Sequence, residues 1–206
     1  MKPIKSRWTV WSTAVIVVIG LAVAAVDADD WEQWRGVDRL GIWHEDGIIE
    51  SFPDSGLPVT WRAPLRSGFS GPAVSDGRVF VVDWLEDLES RTLDGTERAV
   101  AIDEETGAVL WTHEWRTTYR MLMASYAVGP RATPTVDGDR VYVGGATGRL
   151  FCLDVETGDV LWSKDYVTDY GTSIPTWGTA SAPLVDGGKL ITVVGGAKDA
   201  MVMAYD

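Results

Sequence analysis

The chain has 206 residues, a formal net charge of −12 and one cysteine. The single cysteine excludes an intrachain disulfide, and the negative charge disfavours nucleic acid as a partner. In chain order, the first element is residues 1–28, where Lys2, Lys5 and Arg7 precede an uncharged run and small residues close it. This pattern predicts a cleaved secretory signal. An uncleaved anchor is the alternative, because the uncharged residues 8–26 just span a bilayer. Both interpretations predict a periplasmic or otherwise extracytoplasmic protein.

An internal repeat occupies residues 63–206. The pattern Asp-x-Glu-Thr-Gly-x-Val-Leu-Trp occurs at residues 103–111 and returns 51 residues later at 154–162. Upstream of each, an apolar run containing an Asp-Gly turn follows a proline, and a third copy begins at Pro183. Tight-turn residues between alternating apolar runs predict antiparallel strands, four in each unit. Such a unit is typical of a propeller blade, whereas a β-sandwich, the alternative, does not predict this repeat.

The two units resemble the tryptophan-docking motif of the pyrroloquinoline-quinone-like (PQQ-like) β-propeller repeat. This resemblance implies that each motif tryptophan stacks between neighbouring blades. The repeat type is similar to that of the propeller lipoprotein of the outer-membrane barrel-assembly machine, although no cysteine lies near the predicted cleavage site. The residues that match the motif, and for which a structural docking role is expected, are Ala101, Asp103, Thr106, Gly107, Trp111, Cys152, Asp154, Thr157, Gly158, Trp162, Ala204 and Asp206.

The resemblance also implies an all-β fold, a β-propeller of four-stranded antiparallel blades. About three blades are expected in residues 63–206, the last one truncated, as the N-terminal fragment of a ring of seven or eight. Residues 29–62 form a leading segment with an expected outer strand near Trp61. An insertion of 10 residues within residues 83–97 predicts a decorated hairpin tip, with a binding loop as the alternative.

The family contains both binding proteins and quinoprotein dehydrogenases, so the fold leaves the function open. A dehydrogenase of this type implies PQQ, Ca²⁺ held by carboxylates and an amide, and in its alcohol-oxidising branch an adjacent pair of cysteines. The chain has no asparagine and no cysteine pair, and His44 and His113 lack zinc-site spacing. We therefore predict no catalytic residue, no metal ligand and no cofactor, with PQQ and Ca²⁺ expected only under the dehydrogenase alternative.

Two long connectors, residues 112–129 and 164–178, are rich in aromatic, methionine and arginine side chains. Propeller geometry places such connectors on one face, and these residue types are enriched at recognition surfaces. We expect a non-catalytic scaffold that binds a protein, peptide or glycan in the cell envelope, and that meets a membrane only through an uncleaved N-terminal segment. The candidate binding face consists of Trp115, Tyr119, Arg120, Tyr126, Arg131, Tyr170 and Trp177.

Overall fold

The computed structural model describes residues 29–44, 48–123, 125–126, 128–197 and 199–206. Within these residues, eleven strands form three antiparallel sheets. The expected targeting segment, residues 1–28, lies outside the described residues. None of the described helices is both long enough and apolar enough to cross a membrane.

The first blade is a sheet of four strands that pair in chain order. Its strands are β1 (Ala73–Ser75), β2 (Arg78–Glu86), β3 (Asp94–Asp103) and β4 (Val109–Thr118). Asp76 and Gly77 both adopt positive φ, 47° and 72°, which suits the tight turn between β1 and β2. At the end of β3, the Asp103 carboxylate accepts a hydrogen bond of 2.8 Å from the Thr106 N–H. This bond holds the Thr-Gly turn that leads into β4.

The second blade repeats the first. Its strands are β5 (Thr135–Asp137), β6 (Arg140–Gly144), β7 (Arg149–Asp154) and β8 (Val160–Asp165), in the same order. Asp154 accepts a 2.9 Å hydrogen bond from the Thr157 N–H, as Asp103 does in the first blade. The strand register also shifts at the equivalent position of each blade, after Cys152 here. The sequence repeat is therefore a repeat of geometry.

The third blade contributes the strands β9 (Leu184–Asp186), β10 (Lys189–Val193) and β11 (Val202–Tyr205), with β10 in the centre. The chain reaches it through the one-turn helix α1 (Tyr166–Tyr170), whose N-terminus Asp165 caps by accepting from the Val167 N–H at 3.0 Å. The prediction of an all-β propeller with about three blades is confirmed.

The insertion predicted from the unequal repeat lengthens the β2–β3 hairpin. Strands β2 and β3 have 9 and 10 residues, whereas β6 and β7 have 5 and 6. At the tip, the Thr92 hydroxyl donates a 2.8 Å hydrogen bond to the Asp94 carboxylate, and Leu88 is 88% exposed. This geometry is that of a decorated hairpin tip, and its inner end brings Glu97 into the protein.

The leading segment crosses the innermost strands of the blades. Trp31 exchanges backbone hydrogen bonds of 2.8 and 3.0 Å with Val74 of β1, and the Glu32 carbonyl accepts one of 2.8 Å from the Val136 N–H of β5. A short 3₁₀ turn, Val37–Arg39, follows, and beyond it Trp43 packs against Trp31 with the ring centroids 5.8 Å apart. The segment therefore ties the first two blades together at the inner side of the arc.

The outer strand expected near Trp61 stays a prediction. Among the described residues, 57–62 pair with no strand. Trp61 is instead held by its side chain against the first blade, at the turn that follows β3.

The largest apolar cluster lies between the first two blades. Phe80 and Val82 of β2 meet Val141 and Leu153 of the second blade, and all four are at most 1% exposed. A single sheet has no partner for this face, so the stacking of neighbouring blades supplies the core.

Candidate functional site

Two tryptophans reach from one repeat unit to the Thr-Gly turn of the next. The Trp111 Nε1–H donates a 3.0 Å hydrogen bond to the Val155 carbonyl, and Trp61 makes the equivalent 2.7 Å bond to Glu104. A Cβ at Gly158 would lie 2.5 Å from the Trp111 ring, and the backbone there has a φ of 75°. Glycine is therefore required beneath the ring. That these rings act as staples between blades stays a prediction.

Small residues face the motif tryptophans across the sheet. Ala101 pairs with Trp111 and Cys152 pairs with Trp162, and both small residues are fully buried. Burial raises the pKa of the Cys152 thiol to about 11, which keeps it protonated at neutral pH. Cys152 is thus a packing residue in place of the alanine at the equivalent position.

The third copy of the motif is represented by Ala204 of β11 and by Asp206, which forms an ion pair with Lys189. Trp162 packs between Tyr142 and Tyr205, with ring centroids 6.0 and 5.7 Å away. Its ring therefore contacts an aromatic side chain of the second blade and one of the third, as Trp111 contacts Phe80 in its own blade and the Val155 carbonyl in the next.

A buried carboxylate, absent from the sequence-based candidates, lies beneath the first connector. Glu97 is fully buried and accepts three hydrogen bonds: 2.6 Å from the Tyr119 hydroxyl, 2.7 Å from the Trp115 indole and 2.8 Å from the Ala146 N–H. Burial raises the pKa of Glu97, and the three donors oppose that rise. The Glu97 cluster, defined as these four residues, joins the first blade, the connector and the β6–β7 turn of the second blade.

The position of Glu97 in β3 is the sequence feature that could have identified it, because side chains of a strand alternate between the inward and the outward face. Glu97 shares the inward face with Gly95, Ala99 and Ala101, and it pairs directly with Trp115 on β4. A glutamate in an otherwise small and apolar inward row must be satisfied by internal donors.

Two of the proposed binding-face residues are buried, which corrects the expectation for them. Trp115 is 9% exposed and Tyr119 is 0% exposed, and both donate to Glu97. The physical reason is that β4 continues to Thr118, so Trp115 keeps the inward parity of Trp111.

The structure places Tyr126 and Trp177 together on the surface. Their ring centroids are 5.2 Å apart with an interplanar angle of 79°, and the side chains are 79% and 50% exposed. A backbone hydrogen bond of 2.8 Å from the Met123 N–H to the Thr176 carbonyl joins the two connectors beside them. We call Tyr126 and Trp177 the aromatic pair.

The remaining candidates are separate from one another. Arg120 is exposed, and Tyr170 is half-buried against the core of the second and third blades. Arg131 is half-buried, and its guanidinium donates a 3.0 Å hydrogen bond to the Gly129 carbonyl. The candidate face thus reduces to the aromatic pair.

A pocket of about 400 Å³ lies where the leading segment meets the residues that precede the three inner strands. Trp34 and Arg39 line it from the leading segment, and Arg131, Thr133 and Ser181 line it from the blades. We call it the inner pocket.

The residues present do not fit a quinone–calcium site. Within the described part of the chain, no three His, Cys, Asp or Glu side chains come together in a way that suits a metal ion. The buried carboxylate of Glu97 is already bonded to three protein donors. His113 packs edge-on against Phe151 with its pKa lowered by burial, and His44 is exposed. No step can be assigned to such a cofactor here.

A family model described as outer membrane protein assembly factor BamB matches residues 53–206. The chain is 33% identical over 112 residues to the quinohemoprotein alcohol dehydrogenase ADH IIB of Pseudomonas putida, covering 53% of this chain and 16% of that protein. It is 30% identical over 155 residues to ADH-IIG of the same species, covering 73% and 20%. The chain therefore spans a fifth or less of the length of these relatives.

Solved structures give a similar result. The chain is similar to the quinohemoprotein alcohol dehydrogenase from Comamonas testosteroni, with a TM-score of 0.46 and 25% identity over 62% of this chain and 17% of that one. It is also similar to BamB from Moraxella catarrhalis, with a TM-score of 0.34 and 22% identity over 63% and 40% of the two chains. The family match over residues 53–206 confirms the expected PQQ-like repeat.

Proposed function

Since the chain belongs to the family described as outer membrane protein assembly factor BamB, we propose that it is a non-catalytic propeller scaffold of the cell envelope that binds a protein, peptide or glycan. The location outside the cytoplasm is supported by the basic and apolar pattern of residues 1–28. Its net charge of −12 argues against nucleic acid as the partner.

The observation that carries the proposal is the aromatic pair. Tyr126 and Trp177 meet edge to face while keeping 79% and 50% of their surfaces exposed. Tyrosine and tryptophan supply large contact area at a low entropy cost, which is why they dominate binding energy at interfaces. Two such rings in contact form a surface suited to an apolar side chain or a sugar face.

The structure beneath the aromatic pair supports the same conclusion. The Met123–Thr176 hydrogen bond fixes the two connectors to each other. Tyr119, the first residue after β4, is fully buried and bonded to Glu97, which also bonds the second blade through Ala146. A binding surface loses less entropy when its supports are already ordered, so this arrangement favours recognition.

Site-specific photocrosslinking in the producing cell tests the proposal. A photoreactive side chain at position 126 should capture a protein or glycan, and one at Leu110, 47% exposed on β4, should not. Adding Trp177→Ala should lower the yield at position 126 at least fivefold. Equal capture at both positions, or capture that ignores Trp177→Ala, would contradict the proposal.

A second candidate, a PQQ-dependent alcohol dehydrogenase, is favoured by the two Pseudomonas relatives with that name. The full-length protein with added PQQ and Ca²⁺ separates the two candidates. A raised melting temperature together with dye-linked alcohol oxidation would replace the scaffold proposal. An unchanged melting temperature and no oxidation would support it.

A further inference from the structure

We propose that the partner bound at the aromatic pair is a protein segment, and that one of its apolar side chains enters a second pocket formed by the same two connectors. This inference rests on the proposed scaffold function and names the class of the partner. The pocket has a volume of about 410 Å³, and we call it the connector pocket. It is lined by Thr118, Met121, Leu122, Thr147, Val167, Thr172, Ser173 and Ile174.

The connector pocket is built on ordered parts of two blades. Thr118 ends β4 of the first blade, and Thr147 lies in the β6–β7 turn of the second. Leu122 is 8% exposed, and Ile174 packs against the buried cluster that contains Leu122 and Tyr119. The Leu122 N–H also donates a 2.8 Å hydrogen bond to the Tyr119 carbonyl. The walls are therefore in place before a ligand arrives, which lowers the entropy cost of binding.

The chemistry of the lining selects an apolar group. None of the described residues that line the connector pocket is charged. Three of its hydroxyl groups are already bonded within the protein: Thr118 to the Thr92 carbonyl at 3.0 Å, Thr172 to the Val194 carbonyl at 3.1 Å, and Thr147 to the Thr117 hydroxyl at 2.7 Å. Burying the hydroxyl groups of a sugar against this surface would leave them poorly paired, at a cost in free energy. The connector pocket therefore favours an apolar side chain over a glycan.

The connector pocket lies close to the aromatic pair along both connectors. In the first connector, Leu122 precedes Met123 and Tyr126 follows it, and the Tyr126 N–H donates a 3.2 Å hydrogen bond to the Met123 carbonyl. A turn of this kind brings its ends within about 7 Å of each other. In the second connector, Ile174 lines the pocket and Trp177 belongs to the aromatic pair.

Two apolar sites with hydrogen-bonded backbone between them match a polypeptide. Its apolar side chains are separated by polar main chain, whereas a hydrocarbon chain would have to lie across the Met123–Thr176 hydrogen bond. At about 3.3 Å per residue, two apolar side chains two to four positions apart in an extended segment reach both sites. The partner is therefore a protein segment with two large apolar side chains at that spacing.

Met121 gives the connector pocket an adjustable wall. Its side chain is 77% exposed, unbranched and polarisable, so it can close over apolar side chains of different shape. Methionine has this role at protein surfaces that accept more than one sequence. We therefore expect leucine, methionine and phenylalanine to be accepted in the pocket.

A dye titration of the full-length protein tests the connector pocket by itself. The probe is N-phenyl-1-naphthylamine, an uncharged compound whose fluorescence rises in apolar surroundings. Val167→Arg places a charge on the pocket wall and should weaken dye binding at least tenfold. Val160→Arg is the matched control and should leave binding unchanged, because Val160 is 45% exposed against 44% for Val167 and does not line the pocket. Equal dye affinity in the two variants would overturn the inference.

Photocrosslinking in the producing cell tests the class of the partner. Photoreactive side chains at position 126 and at Ser173, which is exposed and lines the pocket, should capture the same polypeptide. Mass spectrometry should place the two attachment sites within about four residues of each other. Val167→Arg should lower the yield at position 126 at least fivefold, and Val160→Arg should not.

The outcomes separate this inference from the scaffold function on which it rests. Capture of a glycan at position 126, or capture there with none at position 173, would overturn the inference and leave the scaffold function in place. A yield at position 126 that ignores Val167→Arg would do the same. Capture at neither position would overturn both.

Discussion

Replacing Trp111 with alanine should destabilise the protein by about 3–5 kcal/mol. The Trp111 side chain is 9% exposed, and an aromatic ring of this size buries about 150–250 Å². At about 25 cal/mol per Å², that area corresponds to about 4–6 kcal/mol, which is an upper bound because unfolded chains bury some of it already. The indole hydrogen bond to the Val155 carbonyl adds about 1 kcal/mol.

Urea denaturation followed by far-ultraviolet circular dichroism measures this loss as a change in the free energy of unfolding. Trp43→Ala is the matched control, because Trp43 is 54% exposed and should cost less than about 1 kcal/mol. If Trp111→Ala costs no more than Trp43→Ala, the ring does not hold the two blades together and the reasoning fails.

Gly158→Ala should lower the free energy of unfolding by about 2–4 kcal/mol, because it combines an unfavourable positive φ with a clash against Trp111. The control Gly138→Ala, at a φ of 57° with open space around it, should lower it by only about 1–2 kcal/mol. An equal loss of unfolding free energy in the two variants, measured by urea denaturation, would refute the clash with Trp111. Burial raises the pKa of Glu97 above its ordinary 4.5, so this carboxyl ionises at a lower pH in the unfolded state than in the folded state. The free energy of unfolding should therefore fall as the pH rises from the unfolded-state pKa through the folded-state pKa. Glu97→Gln should remove that fall. Denaturation midpoints from about pH 4 to 8 give the comparison, and parallel profiles would contradict the assigned shift.

The repeat could be predicted from the sequence because its turns are chemically specific. Asp103 and Asp154 each bond the following turn, and the glycine after the threonine carries the positive φ that the turn requires. Such local preferences are independent of the rest of the fold, and they recur with the unit. The turn of the second blade against which the Trp111 ring packs is one of these locally specified turns.

The candidate site could be predicted only in part, because burial depends on how far a strand extends. Trp115 and Tyr126 are both aromatic residues of the same connector, so the sequence alone does not separate them. In the structure, β4 continues through Trp115 and ends before Tyr126. The alternation of Trp111, His113 and Trp115 was the available signal for that extension. Glu97 was missed because an acidic residue near a hairpin resembles a surface residue until its three donors are placed around it.

The tryptophan contacts also affect the order in which parts of the protein can fold. Trp61 bonds to a carbonyl 43 residues further along the chain, and Trp111 bonds to one 44 residues further along. Since export, like synthesis, proceeds from the N-terminus, each of these two indoles emerges before the carbonyl that it bonds. The Trp111 indole of the first blade therefore has no acceptor until the second blade has followed it across the membrane.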